Sequence, residues 1–185
     1  MTETQEKNKE TKEGSLRLMT LGEIALARRV FGGSIVYHRV WIHCASYLPF
    51  GLQGENVAMA PNGEIWFRKN LYRKDFSDIC TRLDEKHTFI HEMAHVWQFQ
   101  HHQWVRMRGM FSWMADYTYD LIEGKRLTDY SLEQQAQIIA DHYILNYHGC
   151  DSFDLLKINK NVSYIGKASG GRLLEMYRKT LSGFL

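Results

Sequence analysis

The sequence predicts an α+β protein, with one short helix followed by a small set of short strands and then by several helices. Segments rich in β-branched and aromatic residues fall between about residues 34 and 67, which favours strands there. The longest stretches with apolar residues at helical spacing begin after about residue 84. A turn sequence, Pro61-Asn62-Gly63, lies between two apolar runs and is typical of a tight hairpin.

The totals indicate one globular domain. The chain has 185 residues, 44% hydrophobic and 24% charged, which are ordinary values for a soluble protein. We expect a disordered polar tail over 1–14 and a single domain over 15–185. A net charge of +2 without a basic run argues against nucleic-acid or membrane-surface partners. The start carries no signal peptide, so the chain is expected to stay in the cytoplasm or to leave by a signal-independent route.

The first half contains three predicted elements in order. TLGEIALARRVFGG predicts a short helix that ends at Gly32 and Gly33. SIVYHRVWIHCAS contains a strand, and VAMAPNGEIWF forms the hairpin. We expect GEIWF to be an edge strand along which an extended peptide pairs. The three scattered cysteines form no C-x-x-C pair and are expected to be buried free thiols.

Four helices are predicted in the second half. The first covers about 84–103, and the second lies within GMFSWMADYTYDLIEG, residues 109–124. The third begins at the capping box of Ser131 and Gln134 and ends at Gly149. A final amphipathic helix covers about 167–181.

The first of these helices carries the motif H-E-x-x-H. His91 and His95 are four residues apart, so on a helix both imidazoles can reach one Zn²⁺ ion. Glu92 lies about 100° further round, where it can act as general base on the water that zinc activates. The pattern therefore predicts a catalytic zinc site within a buried helix.

A third ligand is needed, and several residues compete for the role. Glu133, in the first turn of a separate helix, is the preferred ligand and would leave a fourth position open for water. His101 has metzincin spacing, but Gln98 stands where that class has a glycine, so the helix is expected to carry His101 away from the metal. Asp141 or His142 is the remaining alternative.

Two supporting roles are predicted for other polar residues. Gln137 and Asp141 lie one and two turns after Glu133 and are expected to hold a ligand histidine. A hydrolase also needs a donor for the developing oxyanion. We expect Tyr119 to be this donor, with Tyr117 and His142 as alternatives.

Four segments in order resemble the Vgr-related zincin-like proteins, which are bacterial proteins encoded near Rhs and VgrG elements of type VI secretion systems. The segments are TLGEIALARRVFGGSIVYHRV, LPFGLQGENVAMAPNGEIWF, FIHEMAHVWQ and EQQAQIIADHY, between about Leu18 and Gly149. The resemblance implies a small zincin-like metallopeptidase fold, with an edge strand over the H-E-x-x-H helix and further helices after it. It also implies zinc on the two motif histidines and a downstream glutamate.

The leading hypothesis is a gluzincin-like zinc peptidase in which Glu92 takes the proton from water and returns it to the leaving amine. The resemblance implies a secreted type VI antibacterial effector or a component loaded on the secretion spike, and it does not identify a substrate. The expected substrate is a peptide or protein, with the stem peptide of peptidoglycan as the alternative. A VgrG or Rhs spike component and an immunity protein are the expected partners. The alternative hypothesis is a non-catalytic zincin-like adaptor module on the spike, present in the cytoplasm of the producing bacterium before type VI secretion.

Overall fold

The part of the chain that the structure describes folds into an α+β architecture in which a three-stranded sheet and four α-helices enclose one core. The computed structural model describes residues 12–103 and 116–184. Its elements, in chain order, are β1 (Ser15–Leu18), α1 (Leu21–Phe31), β2 (Trp41–Cys44), β3 (Ile65–Phe67), α2 (Leu83–Gln100), α3 (Leu132–Ile158) and α4 (Gly170–Thr180).

The sheet has the order β1-β2-β3, with β1 antiparallel and β3 parallel to β2. Strand β1 was not predicted, because its first residues follow directly on the polar tail. The chain joins the sheet within the predicted tail, where the Gly14 amide donates to the Cys44 carbonyl over 2.8 Å. The rest of that tail, residues 1–11, lies outside the described residues. Alternation along β2 and β3 buries Ile42 and Phe67 against the helices.

The predicted hairpin is present, but it pairs at one residue only. Met59 and Trp66 exchange both backbone hydrogen bonds, at 3.1 and 2.8 Å, and Gly63 takes the positive φ of 81° in the turn between them. Strand β3 lies at the edge of the sheet, as expected. The prediction that it offers a free edge to a peptide is wrong at Trp66, because both backbone groups there already bond to Met59.

Helix α1 ends at the predicted Gly32, and its start is fixed by a capping box that was not predicted from the sequence. Thr20 and Glu23 form a capping box, and the Gly32 amide donates to the Arg28 carbonyl at the other end. The carboxylate of Glu23 is fully buried and accepts two 2.7 Å hydrogen bonds from Arg17 of β1. This ion pair attaches α1 to the sheet.

Helices α2 and α3 make the most extensive contact between elements of the described chain. Apolar residues at helical spacing bury the facing sides of both helices. Helix α3 begins at the predicted capping box and is interrupted at the predicted glycine, Gly149, whose φ is 82°. The chain then resumes helical turns to Ile158, so the predicted end is a kink within the element. The buried apolar residues of the interface include Phe89, Ile90, Met93, Ala94, Ile138, Ile139, Ala140, Tyr143 and Ile144.

The helix predicted within 109–124 is wrong where the structure describes it. Residues 116–124 are extended or turn, and Tyr119 pairs with the backbone around Tyr164, with the Ile165 amide donating to the Tyr119 carbonyl over 2.9 Å. The remainder of that segment lies outside the described residues. Helical spacing of Tyr117 and Leu121 therefore reflected burial and not a helix.

Two further findings concern the described residues as a whole. Within 12–103 and 116–184, no helix combines the length and apolarity needed to cross a bilayer. All three cysteines are free, as expected, but only Cys44 is buried, because Cys80 and Cys150 lie at the surface.

Candidate metal centre

His91 and His95 lie on adjacent turns of α2 and point their Nε2 atoms at the same place. The two Nε2 atoms are 3.2 Å apart, and both residues are buried. Two imidazoles this close leave no room for a protein atom between them. The arrangement is the one that i and i+4 spacing on a helix produces when both side chains approach one centre.

Glu133 reaches the same centre from the first turn of α3. Its Oε2 atom is 3.1 Å from His95 Nε2 and 3.4 Å from His91 Nε2. The capping box of Ser131 and Gln134 fixes where α3 starts, and the packing of α3 on α2 brings that first turn to the two histidines. Within the described residues, His91, His95 and Glu133 are the group whose ligand atoms converge.

The three donor atoms fit a tetrahedral zinc ion. Bonds of about 2.0–2.1 Å at tetrahedral angles place the ligand atoms about 3.3 Å apart. The three separations here are 3.1, 3.2 and 3.4 Å. Two neutral imidazole nitrogens with one carboxylate oxygen are also a donor set that zinc accepts, and three protein ligands leave one position open.

Glu92 is next to the two histidines on the helix and is almost completely buried. Burial raises the pKa of its carboxyl. The positive charge of His95 lowers this pKa, the negative charge of Glu133 raises it, and the resulting pKa is about 7. Its Oε2 atom is buried and accepts no hydrogen bond from the described residues. A buried carboxyl oxygen in this state can accept a hydrogen bond from a water or a ligand.

The electrostatics of the cluster favour a proton on His95 and a negative charge on Glu133. Burial lowers the pKa of His95, but the charge and hydrogen bond of Glu133 raise it to about 9. Burial raises the pKa of Glu133, and the two histidines hold it well below its ordinary value. A cation bound here would therefore replace a proton on an existing ion pair, so metal binding should release protons.

Gln98, which the sequence marks only as the position where a metzincin has a glycine, contacts one of the two motif histidines. Its Oε1 lies 2.8 Å from His95 Nδ1. Gln137 and Asp141, predicted to hold a ligand histidine, instead hold His87, whose Nε2 is 2.6 Å from Asp141 Oδ1. The prediction was wrong because Gln137 and Asp141 face His87, which lies one helical turn before His91 on α2.

The alternative ligands lie elsewhere. His101 follows the last residue of α2, is exposed, and donates from Nδ1 to the Trp97 carbonyl over 2.8 Å. Asp141 is fully buried and accepts hydrogen bonds from His87 and Tyr119. His142 packs against the Tyr177 ring at a centroid distance of 5.7 Å. None of these alternatives belongs to the converging group of described residues.

The two candidate tyrosines differ in where they lie. The hydroxyl of Tyr119 is buried, donates to Asp141 over 2.6 Å and contacts the Tyr177 hydroxyl. The ring of Tyr117 lies 5.9 Å from that of His91. Burial raises the pKa of Tyr117, and the charges of Glu133 and Glu92 raise it further, so its hydroxyl keeps its proton. Tyr117 is therefore the tyrosine beside the cluster.

A cavity of about 660 Å³ opens beside the C-terminal turn of α2. Phe99, Gln103 and the turn residues Asn62 and Gly63 are among its lining residues. Phe99 follows His95 by one helical turn, about 6 Å along the axis, on the same side of the helix. The cavity therefore lies at the end of the helix that carries the histidines, and none of the three converging residues lines it.

Comparison with known proteins places this geometry in context. No protein-family model matches the chain. The type VI secretion system spike protein VgrG2b of Pseudomonas aeruginosa is 40% identical over 135 residues, which are 69% of this chain and 13% of the spike protein. The solved effector domain of P. aeruginosa VgrG2b is similar with a TM-score of 0.61 and 36% identity, over 80% of this chain and 83% of that domain. The similarity to the effector domain therefore extends over most of both molecules.

Proposed function

The chain belongs to the family of the VgrG2b effector domain, and from that premise we propose that it is a zinc-dependent peptidase acting as a type VI secretion effector. The observation that supports the activity is the convergence of His91, His95 and Glu133 at tetrahedral spacing, with Glu92 buried beside them. The chain spans only a small part of the spike protein, so association with a VgrG or Rhs spike is a separate proposal from the same likeness.

The proposed reaction assigns one task to each residue. Zinc in a site of this kind activates a water and polarises a carbonyl. His91 and His95 each present Nε2, and Glu133 presents Oε2, so the chain supplies three ligands and one open position. Glu92 accepts the proton of the attacking water and gives it to the leaving amine.

Tyr117 is the residue that we assign as donor to the developing oxyanion, in place of Tyr119. Its ring is beside His91, and its protonated hydroxyl can donate when negative charge develops. The hydroxyl of Tyr119 already donates to Asp141, so it has no proton left for a substrate. The stem peptide of peptidoglycan is a substrate class that suits an antibacterial effector, and an immunity protein would then protect the producing cell.

Replacing Glu92 with glutamine tests the proposal. The amide has nearly the same shape but cannot accept the proton, so we expect hydrolysis to fall by roughly 10²–10⁴-fold, while bound zinc stays at the wild-type level. The measurements are zinc content by mass spectrometry, cleavage of a quenched-fluorescent peptide mixture, digestion of purified peptidoglycan, and growth of cells that export the protein to the periplasm.

Glu85→Gln is the matched control, because Glu85 lies on the first turn of the same helix and bonds to Arg73 instead. It should keep activity and toxicity. Full activity of a zinc-loaded Glu92→Gln protein would refute the peptidase. Equal toxicity of both variants, without hydrolysis of either probe, would favour the non-catalytic adaptor.

A further inference from the structure

We propose that Gln98 is a positioning residue of the metal centre: its side-chain amide fixes the tautomer of His95 and ties that ligand to the peptide group beside Glu133. The inference rests on the proposed function, because it concerns how the same three residues hold zinc. It assigns a role to a residue outside the H-E-x-x-H motif, three positions after the second histidine.

The orientation of the Gln98 amide follows from its partners. Its Nε2 lies 2.9 Å from the backbone carbonyl of Leu132 and 3.3 Å from Gln135 Oε1. A backbone carbonyl can only accept a hydrogen bond, so the side of the amide that faces it must be the NH₂ group. The reversed amide would place two oxygens in contact. The oxygen of Gln98 therefore faces His95, at 2.8 Å from Nδ1.

This orientation determines which nitrogen of His95 carries the proton. An amide oxygen has no hydrogen to give, so Nδ1 must be the donor in the contact with Gln98. When the ring is neutral, Nε2 then has its lone pair free, and Nε2 is the atom that points at His91 and Glu133. Gln98 thus keeps His95 in the tautomer that can bind a metal through Nε2.

The same amide joins the two halves of the centre. The Leu132 carbonyl belongs to the peptide group whose nitrogen is that of Glu133, so Gln98 contacts one ligand directly and the backbone of another. Gln135 extends the connection, since its Nε2 donates to the Tyr130 carbonyl over 2.9 Å just before α3 begins. A displacement of α3 relative to α2 would have to break these bonds first.

Burial makes the connection specific. Gln98 has no exposed surface and Gln135 is 5% exposed, so neither amide can exchange its protein partners for bulk water. Gln98 also lies at the position where a helix leaving the metal would need a glycine. Here the helix continues to Gln100, and the long side chain at this position reaches across to α3.

The decisive variant is Gln98→Met, which keeps the length of the side chain and removes all three hydrogen bonds. Removal of residues that orient a metal ligand costs roughly 10–100-fold in metal affinity, and we expect a loss of this size. The measurement is the Kd for Zn²⁺, by competition with a chromophoric chelator, on protein shown to be folded by circular dichroism. Gln135→Met keeps the contact of Gln98 with His95 and removes two other bonds, the longer one from Gln98 Nε2 and the one from Gln135 to the Tyr130 carbonyl. It should cost roughly three- to tenfold, the size of an ordinary hydrogen bond.

Gln137→Met is the matched control, a buried amide on α3 that bonds to Asp141 and the Asn161 carbonyl instead of to the ligands. It should destabilise the fold without changing the Kd for zinc by more than about twofold. The double variant Gln98→Met/Gln135→Met should bind zinc no more weakly than Gln98→Met, because both residues act through one connection.

The measured zinc affinities can contradict the role of Gln98 alone, or the role of Gln98 together with the proposed peptidase. Wild-type protein that binds one zinc, with a Gln98→Met variant of equal affinity, would overturn the inference and leave the peptidase proposal intact. Equal losses in Gln98→Met and Gln137→Met would also overturn it, since that result indicates general destabilisation. Wild-type protein that binds no zinc would overturn both. If Gln98→Met does not fold, Gln98→Asn replaces it, since the shorter amide cannot reach both His95 and the Leu132 carbonyl; unchanged zinc affinity in that variant overturns the inference.

Discussion

Replacing Asp141 with asparagine tests how strongly the packing beneath the candidate metal centre depends on one buried carboxylate. Oδ1 of Asp141 accepts from His87 at 2.6 Å and from Gln137 at 3.0 Å. Oδ2 accepts from Tyr119 at 2.6 Å and from the Ser163 amide at 3.1 Å. These four donors come from α2, from α3 and from two connecting segments, so a single side chain joins all of them.

Asparagine keeps the shape but replaces one acceptor oxygen with an NH₂ group. If this group faces Tyr119, the tyrosine hydroxyl can turn toward Tyr177 and accept, but the backbone amide of Ser163 can only donate and is left unpaired. A buried unpaired donor costs about 1–3 kcal/mol, and hydrogen bonds to a charged acceptor are worth more than those to a neutral one. We therefore expect Asp141→Asn to lower the free energy of unfolding by about 3 kcal/mol.

Urea denaturation and thermal melting of the metal-free protein measure this loss, which corresponds to a melting temperature about 6–12 °C lower for a domain of this size. Asp154→Asn is the control, because Asp154 is an exposed residue of the same helix, and its substitution should change stability by less than about 0.5 kcal/mol. A loss below about 1 kcal/mol for Asp141→Asn would refute the reasoning, since it would mean that the four donors find other partners.

Two further predictions concern the third ligand and the response to acid. Loss of a residue that only supports a ligand weakens metal binding by roughly 10–100-fold, and Glu133→Ala should weaken zinc binding by more than this. His101→Ala should leave the Kd for zinc unchanged. The reverse order would identify His101 as the ligand. Burial, with a smaller effect of Arg178, lowers the pKa of His142 from 6.5 to about 4, so the unfolded chain binds more protons than the fold between those values. The free energy of unfolding should therefore fall as pH drops from about 6.5 to 4, and His142 should account for at most about 3 kcal/mol of this loss. His142→Phe should remove the part of the pH dependence that His142 causes. Parallel curves of stability against pH for both proteins would contradict this.

Several features of the site could be predicted because they are local. The spacing of His91 and His95 places both on one face of any helix, whatever the helix packs against. The capping box at Ser131 also predicted where α3 begins, since its bonds join residues three apart.

The errors share a physical origin in contacts between distant parts of the chain. The pattern around Tyr117 and Leu121 fits a helix as well as it fits an extended segment with one buried side, and pairing with Tyr164 decides between them. Tyr119 was chosen over Tyr117, although the sequence contains nothing that ranks two tyrosines of one segment; only the structure shows the Tyr117 ring near His91 and the Tyr119 hydroxyl bonded to Asp141. Gln98 was missed because a glutamine in a helix carries no sign of a partner 34 residues away.

The sequence by itself therefore determined that His91 and His95 share one face of a helix with Glu92 beside them, since this depends on residues within one or two helical turns. Only the tertiary structure decided that Glu133 approaches the two histidines, that Gln98 holds one of them, and that Asp141 bonds to His87 and not to a ligand. Those three outcomes depend on how α2 and α3 cross, and the crossing is set by the apolar side chains packed between the helices.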